Sequence, residues 1–136
     1  MRRLNAERSR GAVCRATGTP GAASPLRWSP NLAAVAAAQA DDMAALSRMG
    51  HLDSRNRGLA ERLAAMGYRF SMAVENLAFG YASLDGVVDA WLASEGHCTN
   101  LMNTAALELG LACSDGTVAG QDRYWALVLG APPRPR

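Results

Sequence analysis

Residues 85–113 read DGVVDAWLASEGHCTNLMNTAALELGLAC, and the apolar period changes along them. At the start, Val87, Val88, Trp91 and Leu92 recur at helical spacing, which predicts a helix from Asp85 to about Ser94. At the end, Leu107, Leu109, Leu111 and Cys113 alternate with Glu108, Gly110 and Ala112, the period of a strand with one face on a core. Between them Glu95-Gly96-His97-Cys98 forms a polar junction. The stretch thus passes from helix to strand, so the chain mixes both elements.

Upstream, Ser29 followed by Pro30 starts a helix: the hydroxyl caps free amides and the ring has no N–H to leave unpaired. Leu32, Val35, Ala36, Ala40, Met43 and Leu46 form its apolar stripe, which predicts a helix to about Met49 with Gly50 as the stop. A first helix is expected over residues 4–13, and a surface loop over residues 14–28, rich in Gly, Ala, Pro, Ser and Thr. Leu59, Leu63 and Met66, closed by Gly67, mark a third helix, and residues 68–74 alternate as a strand. Downstream, the Ser114-Asp115-Gly116 turn leads to a strand over residues 124–129, whose continuous apolar run suits a central position. No repeat or long linker appears, so one domain is expected over residues 1–130, with residues 131–136 a frayed Pro/Arg tail.

The chain has 136 residues, 49% hydrophobic and 19% charged, which excludes a disordered solvating segment. The net charge of +2 is too mild to predict nucleic-acid binding, although six Arg residues between Arg2 and Arg27 face only Glu7. The longest apolar stretch, residues 32–40, is far short of the roughly 20 residues that span a bilayer, so no transmembrane segment is expected. The opening residues MRRLNAE carry no apolar leader core, so a removed leader and an interior location are both open. Cys14, Cys98 and Cys113 include no CxxC pair; one disulfide and one free thiol are expected, in any of three pairings.

The candidate chemistry lies in four residues. His51 and His97 sit at loop junctions, too far apart in sequence for a helical metal motif, so only the fold can bring them together. Glu75 stands among apolar neighbours and needs a partner there, His or Arg, because burying a lone carboxylate is costly. Glu95 precedes His97 by two residues. No nucleophile elbow, phosphate loop, HExxH or GxGxxG occurs, and adjacency of His97 and Cys98 does not make a catalytic relay.

Taken in order, Asn5-Ala6-Glu7-Arg8, Ser29-Pro30-Asn31-Leu32, Gly50-His51, Glu75-Asn76-Leu77-Ala78-Phe79-Gly80, residues 91–103 and Tyr124-Trp125 resemble the CAP superfamily. This is the SCP-like domain of cysteine-rich secretory proteins, antigen-five allergens and pathogenesis-related proteins, and the chain is similar to its compact bacterial branch. The resemblance spans residues 4–129 and implies an α+β fold, an α-β-α sandwich with a small antiparallel sheet. It also implies a secreted or periplasmic location and a cleft where two histidines meet two acids. His51 and His97 then match the metal-binding histidines, and Glu75 the acid of the Glu-Asn block. Larger relatives place the second acid where this chain has Ser94, with Glu95 one position late, and Gln39 stands where many relatives carry another His.

Such a cleft suits zinc held weakly, since catalytic zinc normally has three protein ligands. Glu75 and Glu95 would orient the rings, or in a hydrolase take a proton from water. Three functions follow from the resemblance: a binding module for a cell-envelope, lipid or protein partner; a metal-assisted hydrolase or peptidase; and a sterol or lipid carrier.

Overall fold

The elements form where local chemistry directs them. In the computed structural model, which describes residues 1–14, 21–118 and 121–136, the long helix α2 runs Pro30–Leu46. The Ser29 hydroxyl caps it by accepting from the Leu32 N–H at 3.2 Å. Its neighbours in chain order are α1 (Arg2–Arg10), β1 (Arg27–Trp28), α3 (Leu59–Ala65), β2 (Met72–Phe79), α4 (Leu84–Ala93), α5 (Glu95–Leu101), β3 (Glu108–Asp115) and β4 (Arg123–Ala131).

The four strands lie in the order β1-β3-β4-β2. β4 pairs antiparallel with both β2 and β3, whereas the short β1 pairs parallel with β3, so the sheet is mixed rather than purely antiparallel. Side chains of the central strand serve two layers in turn. Trp125, Leu127 and Leu129 pack with Leu4, Val88, Trp91 and Leu101 of α1, α4 and α5. Tyr124, Ala126 and Val128 pack with Leu32, Val35 and Met43 of α2 and with Leu63 of α3. This is the three-layer α-β-α arrangement that the family resemblance implies. The contact of α2 with β3 is close enough to require glycine: a Cβ on Gly110 would lie 2.0 Å from the Ala33 nitrogen.

Several boundaries differ from the sequence reading. α2 stops at Leu46, not near Met49, because Ser47 takes the left-handed conformation (φ 47°) and closes the helix ahead of Gly50. The first helix likewise ends at Arg10, where Gly11 turns left-handed at φ 72°. The strand expected over residues 68–74 lies at Met72–Phe79 instead. Leu77 and Ala78 of that strand enter opposite cores, which removes the alternation by which a strand is read. The junction around His97 is a helix, α5, with only Cys98 and Leu101 buried. β3 continues through Ser114 and Asp115, the β1 pair falls within the expected loop, and Ala131 belongs to β4. Residues 15–20 of that loop lie outside the described residues.

Cys14 and Cys98 form the disulfide, and Cys113 is free and exposed. Among the described residues no helix is long and apolar enough to cross a membrane.

Candidate functional site

β2 lies at the edge of the sheet, and consecutive side chains of a strand point to opposite faces. Glu75 therefore faces the α2–α3 layer and Asn76 the α4–α5 layer. Each holds one histidine.

On the first side, Glu75 is buried and accepts two hydrogen bonds from Arg62 of α3, Nη1 to Oε2 at 2.9 Å and Nη2 to Oε1 at 2.8 Å. The pair is bidentate, the strongest geometry for guanidinium and carboxylate. Glu75 Oε1 also lies 2.9 Å from His51 Nδ1, and Arg62 Nη2 donates to the His51 carbonyl at 2.8 Å. The loop carrying His51 is tied to α2. Buried Gln39 donates through Nε2 to the carbonyls of Gly50 and Leu52, at 2.6 and 3.1 Å. Asp42 accepts from the Ser54 N–H at 2.8 Å, so it does more than form a polar helix face. Asp53 closes the turn by accepting from the N–H groups of Arg55 and Arg57 at 2.9 and 2.8 Å.

On the second side, His97 stands in the first turn of α5, with Nδ1 3.0 Å from the Ser94 hydroxyl. Its carbonyl accepts from Asn76 Nδ2 at 3.0 Å, and Asn76 Oδ1 accepts from Asn100 at 2.9 Å. Asn100 and Trp91 also donate to the carbonyls of Glu75 and Leu77, at 3.4 and 2.9 Å, on the side of β2 that faces away from β4. The disulfide at Cys98 fixes the middle of α5. Buried Arg8 satisfies its C-terminal end, donating to the carbonyls of Leu101 and Asn103 at 2.7 and 3.0 Å, and burial lowers its pKa.

The two imidazoles are electrically unlike. Hydrogen bonding to Glu75 raises the pKa of His51 above its ordinary 6.5. Burial lowers that of His97, and the charge of His51 lowers it further. Glu95, by contrast, is exposed at the start of α5, and Ser94 takes the place beside His97 that the second acid was expected to fill.

Both rings use Nδ1 for support, and neither Nε2 has a hydrogen-bond partner among the described residues. Both Glu75 oxygens are engaged, and among the described residues no group of three or more His, Cys, Asp or Glu could hold a metal ion. The described residues therefore do not form a three-ligand zinc centre. Beside His97 and Ser94 lies a cleft of about 290 Å³ lined by Leu77, Phe79, Tyr81 and Trp91.

Gln39, Arg62, Ser94, Asn76 and Asn100 complete the site; the sequence reading places Gln39, Ser94 and Asn76 in the family pattern without giving them these contacts, and does not name Arg62. Two had a readable signal. Gln39 falls on the apolar stripe of α2 between Val35 and Met43, and Arg62 falls on that of α3 beside Leu63. A polar side chain on a buried stripe needs a buried partner.

Similarity to known proteins agrees with this architecture. An extracellular protein of Bacillus anthracis str. Ames containing an SCP domain superposes with TM-score 0.75 at 25% identity, over 94% of this chain and 37% of that one. An outer surface protein of Borrelia burgdorferi gives TM-score 0.74 at 20% identity, over 98% and 92% of the two chains, which shows the shared fold. In sequence, the uncharacterized membrane protein YlbC of Bacillus subtilis (strain 168) is 33% identical over 86 residues, covering 63% of this chain and 25% of that protein. The chain thus spans a quarter of that relative's length. The pattern of the cysteine-rich secretory protein family, CAP, matches residues 1–129, and the chain belongs to that family.

Proposed function

We propose that this CAP domain is a binding module of the cell envelope or extracellular space, and that His51 and His97 bind a divalent ion such as zinc through their Nε2 atoms. The observation that carries this reading is the paired support of the rings: Glu75 and Ser94 each engage an Nδ1 and leave both Nε2 atoms without a protein partner. Support on the second nitrogen is what metal-binding imidazoles require. When bound, the ion would supply a Lewis-acidic centre for an oxygen of the partner. Glu75 and Arg62 orient His51, Ser94 orients His97, and the cleft beside it accepts an apolar group. The extracellular and surface relatives support the location.

The hydrolase reading needs a carboxylate free to take a proton from water, and Arg62 and His51 occupy both oxygens of Glu75. Glu95 is exposed. The cleft beside His97 gives the lipid-carrier reading little support, because about 290 Å³ lies at the lower end of small-molecule sites, roughly 300–1,000 Å³. It suits a side chain or small ring better than an acyl chain.

Zinc calorimetry on protein dialysed against chelator tests the proposal. Wild-type chain is expected to take up one ion weakly, and His51→Ala and His97→Ala are each expected to abolish uptake. Equal uptake by the double variant would overturn it.

A further inference from the structure

A second cavity, of about 300 Å³, lies between α2, α3 and the loop after His51. Gln39 and Arg62 line it, and each has a buried polar atom without a partner: Gln39 Oε1 and Arg62 Nε. Gln39 is 0% and Arg62 6% exposed. The other polar atoms of both side chains are committed elsewhere. Gln39 Nε2 holds the carbonyls of Gly50 and Leu52, and the two Arg62 Nη atoms hold Glu75 and the His51 carbonyl. One buried acceptor and one buried donor therefore remain unpaired, which is unfavourable for the fold.

The charges around them are also unevenly used. Asp53 is consumed by the N–H groups of Arg55 and Arg57 and by the Arg57 guanidinium. Arg62 is neutralised by Glu75. Two further charges line the cavity: Asp42, which accepts from the Ser54 N–H, and Arg55, exposed and with no ion pair among the described residues. The apolar part of the wall is aliphatic: Val35, Ala38, Ala65 and Met66.

We propose that this cavity is a ligand site, separate from the two histidines, for a small carboxylic acid bearing a hydrogen-bond donor on its α-carbon, an amino or hydroxy acid. The carboxylate accepts from Arg62 Nε–H and is drawn by Arg55. The α-amino or α-hydroxyl group donates to Gln39 Oε1, and a short aliphatic side chain lies on Val35 and Ala65. One molecule then satisfies both orphaned atoms.

The test is an NMR titration of the ¹⁵N-labelled chain with L-alanine, L-lactate and propionate, following the Arg62 Nε–H and Gln39 side-chain amide signals. Saturable shifts are expected with alanine, lactate or both at millimolar concentration, and the two arms separate amino from hydroxy acids. Propionate lacks the donor and is expected to bind up to about tenfold more weakly. Ala38→Trp, at the exposed rim, is expected to remove the shifts while leaving the thermal midpoint unchanged. No saturable shift with either acid at tens of millimolar would mean a cavity filled by water alone and would overturn the proposal. So would shifts that survive Ala38→Trp, or shifts that disappear in His51→Ala with His97→Ala. Zinc uptake depends on those histidine variants and not on Ala38→Trp, so either idea can fail without the other.

Discussion

The two halves of the histidine site achieve one result by opposite means. His51 is held by charge: a buried guanidinium and carboxylate from α3 and β2, with a glutamine fastening the loop. His97 is held by neutral groups, a serine hydroxyl and an asparagine pair, on a helix stapled by a disulfide and closed by Arg8. The contrast teaches that a ring can be oriented without charge where covalent and backbone constraints already fix its helix. The loop bearing His51 has no such staple and relies on ionic and polar ties.

The sharpest way to break the comparison is to remove charge from the first half. Glu75→Gln leaves Arg62 buried without a counter-ion and is expected to destabilise the fold by about 3–5 kcal/mol in urea denaturation. Ser94→Ala, the matching change at His97, exposes only a lost hydroxyl contact and is expected to cost about 1 kcal/mol. Equal costs would show that the charged half is no more locked than the neutral one.

Cutting the staple addresses the second half. Cys14 and Cys98 are 84 residues apart, and opening the bridge with reductant is expected to cost about 2–5 kcal/mol. Amide exchange should rise in α5 first and leave α3 and the loop at His51 protected. Uniform loosening would mean that the disulfide supports the whole domain and not the His97 half.

The smallest effect is in pH, and its sign differs between the rings. The raised pKa of His51 gives a contribution that is complete below the unfolded value of about 6.5 and lost as pH rises through the folded value. The lowered pKa of His97 gives one that is present above about 6.5 and lost as pH falls through its folded value. In metal-free protein, thermal melts should therefore show His97→Gln losing stability with rising pH relative to wild type, and His51→Gln losing it with falling pH. Parallel curves for the two variants would contradict the electrical difference between the rings.

Much of this was legible in the residues. Ser29-Pro30 marked the start of α2, and the apolar run after Tyr124 marked the interior strand, because capping and two-sided burial leave direct traces in sequence. The need of buried Glu75 for a partner was readable from its apolar neighbours, and both residue types named for it, His and Arg, bind it. β2 was misplaced because its middle carries Glu75 and Asn76, whose polar character obeys the site and not the strand period. α5 was hidden by Gly96, Thr99 and Asn100, weak helix formers whose conformation is set by the disulfide, Arg8 and Asn76. Such long-range constraints have no local signature. Nor does the choice of Cys14 over Cys113 as the partner of Cys98, which depends on which chain segments meet in space.

The carbonyls of Glu75 and Leu77 on the outer border of the sheet have a further consequence. An unprotected border of this kind invites a foreign segment to extend the sheet and is a common route to aggregation. Here Asn100 and Trp91 already fill those acceptors. Copies of the domain crowded at a surface are thereby kept from joining border to border along residues 75–77, and the same two side chains that guard against fibre growth also hold the histidine layer in place.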